Sequence, residues 1–282
     1  MDSYPHVGTA SIVWMVVGLI LFVTVPVAVA IVWKIKKKEP FTTILIGAAT
    51  FLLFAIILEK SIQNVLIFPT EMGLSANPLS IALASRPVLL ALVTGLFPGI
   101  FEETGRLVAF KTLLRKRTNR ETSISYGIGH GGIEVVFVLG LMYFQFLSYT
   151  MMLNNGTFGT VVAQVAEKAP EKLSQVQSVI DSLTGFTFTT LLAAAVERVF
   201  AVLFHIGASI LVFYACKDKK KFWLYPLAIL LHTAMDFIAA LAVFNVVDLS
   251  GPALTGSVAV FSIVVFAGAY FLLYRKDTAI NN

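Results

Sequence analysis

Seven ionisable side chains lie inside long apolar stretches of this chain, and they restrict its fold more than any other feature. A charge at the centre of a bilayer costs about 3 kcal/mol on insertion scales, so seven facing lipid would cost on the order of 20 kcal/mol. We therefore expect them to face one another as an intramembrane functional cluster. They are Glu102, Glu103, Arg106, Glu134, Glu197, Arg198 and Asp236, and His130, His205 and His232 are interleaved with them.

The composition is that of a membrane protein. Hydrophobic residues make up 57% of the 282 residues and charged residues only 13%, with a mean hydropathy of +0.85. Soluble domains carry about 25% charged residues. The chain has one cysteine, Cys216, which excludes an intrachain disulfide framework. We predict an integral membrane protein with the lipid bilayer as its surroundings.

Seven apolar runs are long enough to cross about 30 Å of hydrocarbon, which takes roughly 20 helical residues. They predict an all-α fold, a polytopic transmembrane helical bundle in which residues 1–282 form a single integral membrane domain. The predicted spans are residues 9–33, 41–58, 88–114, 123–152, 188–215, 222–244 and 254–274.

Basic residues follow alternate spans. Four lie within residues 34–38, four within 115–120, four within 217–221 and two at 275–276, and the other connections hold only Lys60, Arg86, Lys168 and Lys172. By the positive-inside rule, this pattern predicts an outside N-terminus and a cytoplasmic C-terminus. Because topology accounts for the basic excess, no nucleic-acid partner is expected.

Two predicted outer segments are more than simple loops. Residues 59–86 carry Pro69, Gly73 and Pro78 among apolar residues, which suits a re-entrant or interfacial stretch. Residues 158–184 show apolar positions at spacings of three and four, typical of an amphipathic surface helix, and Pro170 is expected to open its second half. A helix resting on the membrane and a moving lid are both open interpretations of this second segment.

Four potential ligands lie at similar depths on four different spans. Counted at 1.5 Å per residue from the nearest cytoplasmic basic residue, Glu103 is about 12 Å deep. His130, His205 and His232 are about 15, 18 and 16 Å deep by the same count. This coincidence predicts one polar layer, and Glu197, at about 30 Å, is predicted to lie outside it.

The spacing within each helix supports the same layer. Arg106 follows Glu102 by four residues and Glu103 by three, so it can pair with either carboxylate. His130 shares a helix face with Glu134, and His232 shares one with Asp236, because each pair is four residues apart.

Two further features shape the surroundings of this layer. Arg198 is expected to have a structural role, paired with the acids of a neighbouring helix or with Glu197 beside it. Glycines at 127, 129, 131 and 132 flank His130 and predict close approach of another helix.

The charges of the cluster point to a metal. Five carboxylates and two arginines leave a formal charge of −3 when the imidazoles are neutral. A divalent cation would offset most of this charge, and imidazole with carboxylate suits zinc. The predicted ligands are His130, His205, His232 and Glu103; alternatively, one or two buried carboxyl groups stay protonated.

Two motifs resemble those of known membrane proteases. Residues 102–106, Glu-Glu-Thr-Gly-Arg, resemble the E-E-x-x-x-R motif of type II CAAX prenyl endopeptidases, and His232 with Asp236 matches the last motif of that superfamily. Over essentially its whole length the chain most closely resembles the YhfC family of intramembrane metalloproteases. That family is grouped with PrsW-type proteases and the APH subunit of γ-secretase.

The resemblance implies roles for these residues. Glu102 and Glu103 would supply the base that activates water, and His205 and His232 would bind metal or the developing oxyanion. His130 with Glu134 is more like the second motif of the PrsW branch. Ala201 stands where the CAAX-type middle motif has phenylalanine, so CAAX substrate specificity does not transfer.

We therefore expect a membrane peptidase, of metallo or glutamate type, in the bacterial cytoplasmic membrane. Its substrate would be a membrane protein or peptide. The expected catalytic residues are Glu102, Glu103, Arg106, Glu134 and Asp236. A non-catalytic scaffold subunit and a proton-coupled transporter are the alternatives, since intramembrane acids and histidines also form proton relays.

The predicted topology can be tested with reporter fusions. Fusions at Lys38, Thr118 and Lys219 should report a cytoplasmic location, and fusions at Ser75, Pro170 and Ser250 an external one. One reversed site would contradict both the span count and the common depth of the polar residues.

Overall fold

Long apolar helices account for most of the structure. The computed structural model describes residues 4–249 and 251–277, and these contain helices, turns and loops but no strand. Their longer helices are α1 (Thr9–Lys37), α2 (Phe41–Ile67), α3 (Pro78–Ala84), α4 (Pro87–Lys111), α5 (Glu121–Asn154), α6 (Gly159–Lys168), α7 (Leu173–Thr184), α8 (Phe188–Lys217), α9 (Leu224–Val243) and α10 (Gly251–Tyr274).

The predicted all-α fold with seven spans is confirmed. Within the described ranges, seven helices are long and apolar enough to cross a membrane: α1, α2, α4, α5, α8, α9 with the turn before it, and α10. Most ends agree with the predicted ones within a few residues. The orientation of the termini stays a prediction.

The second span was predicted too short. The prediction ended it at residue 58, just before Glu59 and Lys60, yet α2 continues to Ile67, with a π-helical stretch over Leu52–Glu59. The Glu59 side chain is only 1% exposed, and Lys60 Nζ lies 3.1 Å from its Oε1. The helix therefore continues through Glu59, because the buried Glu59 carboxylate is paired with the ammonium group of Lys60.

The two predicted outer segments are largely helical. Pro69 begins a 3-10 turn, and Asn77 caps α3 by accepting a hydrogen bond from the backbone N–H of Ser80. Residues 158–184 form α6 and α7, and Pro170 begins the 3-10 turn that leads into α7, as predicted.

The chain divides into two compact units. The first consists of residues 1–26 and 135–196. In it, Asn154 accepts a hydrogen bond from the Val7 backbone N–H at 2.8 Å, and Ser11 donates one to the Phe186 carbonyl at 2.8 Å. The Tyr143 ring packs against Phe22 and Phe186.

The second unit, residues 27–134 and 197–282, holds every residue of the predicted polar layer. Glycines bring its helices close together. A Cβ atom on Gly95 would lie 2.8 Å from the backbone N of Phe237, and one on Gly99 would lie 2.9 Å from the Ile229 carbonyl oxygen. Because α4 and α9 approach closely here, Glu103, one turn after Gly99, comes to lie beside His232.

The glycines around His130 have the predicted effect. A Cβ on Gly127 would lie 2.7 Å from Ile206 Cα of α8. One on Gly129 would lie only 1.9 Å from the Ile44 carbonyl oxygen of α2. Helix α5 is thus close to two neighbours, and the His130 side chain is fully buried.

Substitution of Gly129 tests this close approach. Gly129→Ala should lower the free energy of unfolding in detergent by about 1–3 kcal/mol, the usual cost of overpacking, because its methyl group meets backbone atoms. Gly256→Ala in α10 is the matched control, since no atom of the residues that the structure describes lies within 4 Å of its Cβ position. Equal stability of the two variants would contradict the packing described.

Candidate active site

Four helices of the second unit bring the predicted residues together. Helix α4 carries Glu102, Glu103 and Arg106, and α5 carries His130 and Glu134; α8 carries Glu197, Arg198 and His205, and α9 carries His232 and Asp236. The predicted convergence of the three histidines with the Glu102–Glu103 pair is confirmed by contacts between α4 and each of the other three helices.

Arg106 lies at the centre of the cluster and has no solvent exposure. Its Nη1 donates to Oε1 of Glu103 in a short ion pair. Its Nη2 lies 2.6 Å from Nδ1 of His205 and 3.8 Å from Oε2 of Glu102, and its Nε donates to the Ser209 hydroxyl at 3.3 Å. The guanidinium therefore joins α4 to α8.

Glu102 faces imidazoles from three helices. Its Oε2 lies 2.8 Å from Nε2 of His130, and 3.9 Å from both Nδ1 of His205 and Nε2 of His232. The Glu102 side chain is 7% exposed. It is therefore the carboxylate at which all three predicted histidines meet.

Glu103 has different neighbours. Glu103 is fully buried. Its Oε1 lies 2.7 Å from Nδ1 of His232, and the same oxygen is paired with Arg106. Nε2 of His232 lies 3.4 Å from Oδ2 of Asp236. A carboxylate on one ring nitrogen orients the other nitrogen of a histidine, so Glu103 directs Nε2 of His232 toward Asp236 and Glu102.

Glu134 connects His205 to Arg198. Nη1 of Arg198 donates to Oε1 of Glu134 at 2.9 Å, and Oε2 of Glu134 lies 2.5 Å from Nε2 of His205. Nη2 of Arg198 also pairs with Glu197. Arg198 was predicted to pair with the acids of a neighbouring helix or with Glu197, and it contacts both Glu134 and Glu197.

A cavity of about 120 Å³ opens beside these residues. It is large enough to hold water, since a single molecule takes up about 30 Å³ in the liquid. Glu103 is absent from its wall, whereas Glu102 is part of it. The lining residues are Glu102, Glu134, Glu197, Arg198, Ala201, His205, His232, Met235, Asp236, Ala239 and Val258.

Glu197 was predicted to lie outside the polar layer, and this was wrong. It lines the same cavity as Glu102 and is paired with Arg198. The depth count follows one helix axis and takes no account of helix tilt or of side-chain reach toward a partner. Such a count locates Cα atoms better than carboxylates.

The residues fit a divalent metal. Glu102, His130 and His205 each offer a ligand atom, and these atoms lie within 4.8 Å of one another. Nδ1 of His130 and Oε2 of Glu103 are buried without a hydrogen-bond partner among the described residues. A carboxylate with two imidazoles is a donor set that suits zinc. Glu103 and His232, also predicted as ligands, contact each other instead.

One contributor to the cluster was missed from the sequence. Ser209 accepts from Arg106 and donates to the His205 carbonyl at 2.6 Å, and its position one turn after His205 was the available signal.

Comparison with known proteins places the chain in a family. The family described as YhfC intramembrane metalloprotease matches residues 21–251, which include every residue of this site. The chain belongs to the YhfC family. It is 26% identical over 235 residues to the uncharacterized membrane protein YhfC of Bacillus subtilis (strain 168), covering 83% of this chain and 86% of that protein. No solved structure matches the chain. The resemblance to the YhfC family predicted from the sequence is thus confirmed.

The two arginines should differ in their effect on stability. Arg106→Met should lower the free energy of unfolding by about 3–5 kcal/mol, the cost of leaving a buried charge without its partner. Arg198→Met should cost less, because the Arg198 side chain is 19% exposed and Glu197 41% exposed. Unfolding of both variants in the same detergent measures the difference. An Arg198 variant as unstable as the Arg106 variant would contradict this assignment.

Proposed function

We propose that this protein is an intramembrane peptidase that hydrolyses peptide bonds of membrane proteins or membrane-associated peptides. The observation that carries the proposal is the position of Glu102, a carboxylate in the wall of a cavity large enough to hold water and within 3.9 Å of imidazole nitrogens from three helices. The description of the YhfC family as intramembrane metalloproteases supports it.

Glu102 is the proposed general base. A general base must reach the proton that it removes, and Glu102 borders the cavity where water can lie. Its carboxylate would take a proton from water as the water oxygen attacks the peptide carbonyl carbon. The same proton would then pass to the amine that leaves when the C–N bond breaks.

Glu103 has a supporting role in this proposal. It is fully buried, it does not border the cavity, and its Oε1 is shared by Arg106 and His232. It would hold His232 in one orientation and keep Arg106 in place. The two adjacent glutamates therefore have different roles in this proposal. The motif itself does not distinguish them, because it contains the same residue type at both positions.

His232 would serve the developing oxyanion. It lines the cavity between Glu103 and Asp236, and with both ring nitrogens protonated its Nε2–H would be a donor fixed in place before the reaction, which stabilises charge that forms in the transition state. Glu134 contacts the His205 ring and Asp236 contacts the His232 ring, so each would fix the orientation of one imidazole. Glu134 and Asp236, expected from the sequence to be catalytic, are thus proposed as positioning residues.

A divalent metal, zinc by ligand type, would be held by Glu102, His130 and His205. When bound, such an ion lowers the pKa of a bound water to about 7 and polarises carbonyl groups. The Glu102 carboxylate would be a ligand in that case and the general base when no ion is bound. The charge of the cluster favours a cation, because five carboxylates face only two guanidinium groups.

The cavity also suggests how substrate reaches the site. At about 120 Å³ it is smaller than the roughly 300–1,000 Å³ of typical ligand pockets. The cavity is therefore too small to enclose a peptide segment, and the substrate would have to lie against its opening. An unwound membrane segment would approach the apolar wall of the cavity, which is formed by Ala201, Met235, Ala239 and Val258.

The separate tasks of the two glutamates predict different phenotypes. Glu102→Gln should abolish turnover, because glutamine keeps the shape but cannot take a proton. Glu103→Gln should lower turnover per folded molecule less, since an amide oxygen can still accept from His232, but it should lower stability because Arg106 loses its charged partner. Cells that carry Glu102→Gln should accumulate an uncleaved membrane-protein precursor, detected by comparative proteomics.

Glu71→Gln provides the control, since Glu71 is exposed on the turn after α2. A scaffold would tolerate all of these substitutions, and a transporter would change flux with no precursor accumulating. Normal expression of Glu102→Gln without any accumulated precursor would rule out the peptidase.

A further inference from the structure

Arg106 contacts a ring nitrogen that a metal would need. Its Nη2 lies 2.6 Å from Nδ1 of His205, and the arginine is fully buried. A guanidinium has N–H donors and no acceptor, so Nδ1 of His205 must be the acceptor in this hydrogen bond. The proton of the neutral imidazole is therefore on Nε2, which faces Glu134.

The nitrogen held by Arg106 is also the one that faces Glu102. Nδ1 of His205 lies 3.9 Å from Oε2 of Glu102, and Nη2 of Arg106 lies 3.8 Å from the same oxygen. To complete a metal site with Glu102 and His130, His205 would use the lone pair on Nδ1. That lone pair is already engaged by the guanidinium.

We propose that Arg106 and a divalent cation are alternative occupants of Nδ1 of His205, so that Arg106 sets the metal affinity of the site. This inference rests on the metal part of the proposed function. Arg106 is then a positioning residue with two states. With metal absent it supplies the positive charge among the carboxylates and fixes the His205 tautomer; with metal bound its Nη2 has withdrawn.

The remaining contacts of Arg106 allow such an exchange. Nη1 is paired with Glu103, and Nε donates to Ser209 at 3.3 Å, so both contacts are independent of Nη2. A small rotation of the guanidinium plane would release His205 while Arg106 stays with Glu103. The charge on Glu103 would remain neutralised in both states.

Zinc binding to the full-length protein in detergent tests the exchange. The proteins compared are the wild type, Arg106→Met, His205→Gln and the double variant, each titrated with Zn²⁺ alone. Arg106→Met should bind Zn²⁺ about tenfold tighter or more, as expected when a hydrogen bond to a charged group no longer competes. The gain should disappear when His205 is glutamine.

The double variant separates two causes. Loss of a positive charge would favour any cation by simple electrostatics, and that effect would persist without His205. Arg198→Met is a matched control, because it removes a charge from the same cluster but has no contact with Nδ1 of His205. It should give a smaller gain than Arg106→Met.

Arg106→Lys covers the case in which Arg106→Met does not fold. It keeps the charge beside Glu103 but replaces the two-armed guanidinium with a single ammonium, so a smaller gain that still requires His205 is expected. In the metal-free wild type, ¹⁵N NMR of labelled histidines should show His205 with a proton on Nε2 and none on Nδ1. Its signals are identified by their loss in His205→Gln.

The outcomes are distinct. A gain in zinc affinity that needs His205 supports the exchange. A gain of the same size with glutamine at 205, or a proton on Nδ1 in the metal-free protein, overturns it and leaves the metal site intact. If no variant binds Zn²⁺, both the exchange and the metal part of the proposed function fail, and water activation by Glu102 alone remains.

Discussion

The pairing of Arg106 with Glu103 is the interaction on which the rest of the site depends. Both side chains are fully buried. Removing one partner of such a pair lowers the free energy of unfolding by far more than the intact pair contributes to it. Because the guanidinium is planar and has several donors, it also reaches His205 and Ser209. A lysine could neutralise Glu103 but could not connect α4 and α8 in the same geometry.

Small residues make the contacts between the helices of this site possible. Without a hydrophobic driving force between helices in lipid, close backbone contact at glycine and alanine supports association. Gly95 and Gly99 bring α4 against α9, while Gly127 and Gly129 bring α5 against α8 and α2. The charged groups are thereby placed within hydrogen-bonding distance, and the apolar surroundings strengthen their interaction.

Much of this could be predicted from the sequence, because apolar length reveals spans and helical spacing reveals shared faces. The pairing of Arg106 with Glu103 follows from their separation of three residues. Contacts between residues on different helices were harder to predict, since the spacing of residues along the sequence does not give the rotation of one helix relative to another. The contact of Arg106 with His205, the separate surroundings of Glu102 and Glu103, and the burial of Glu59 all depend on that rotation.

The π-helical stretch of α2 has a consequence for how this region is compared among relatives. A π-helical turn accommodates one more residue than an α-helical turn, and a shift of one residue rotates the following side chains by about 100°. Glu59 at the end of this stretch and Gln63 beyond it are both buried, and Gln63 donates to the Thr94 carbonyl of α4 at 3.2 Å. In a relative one residue shorter here, these polar side chains would turn toward lipid. A single-residue gap within residues 52–59 of an alignment would therefore mark a changed helix face, not a tolerated length variation.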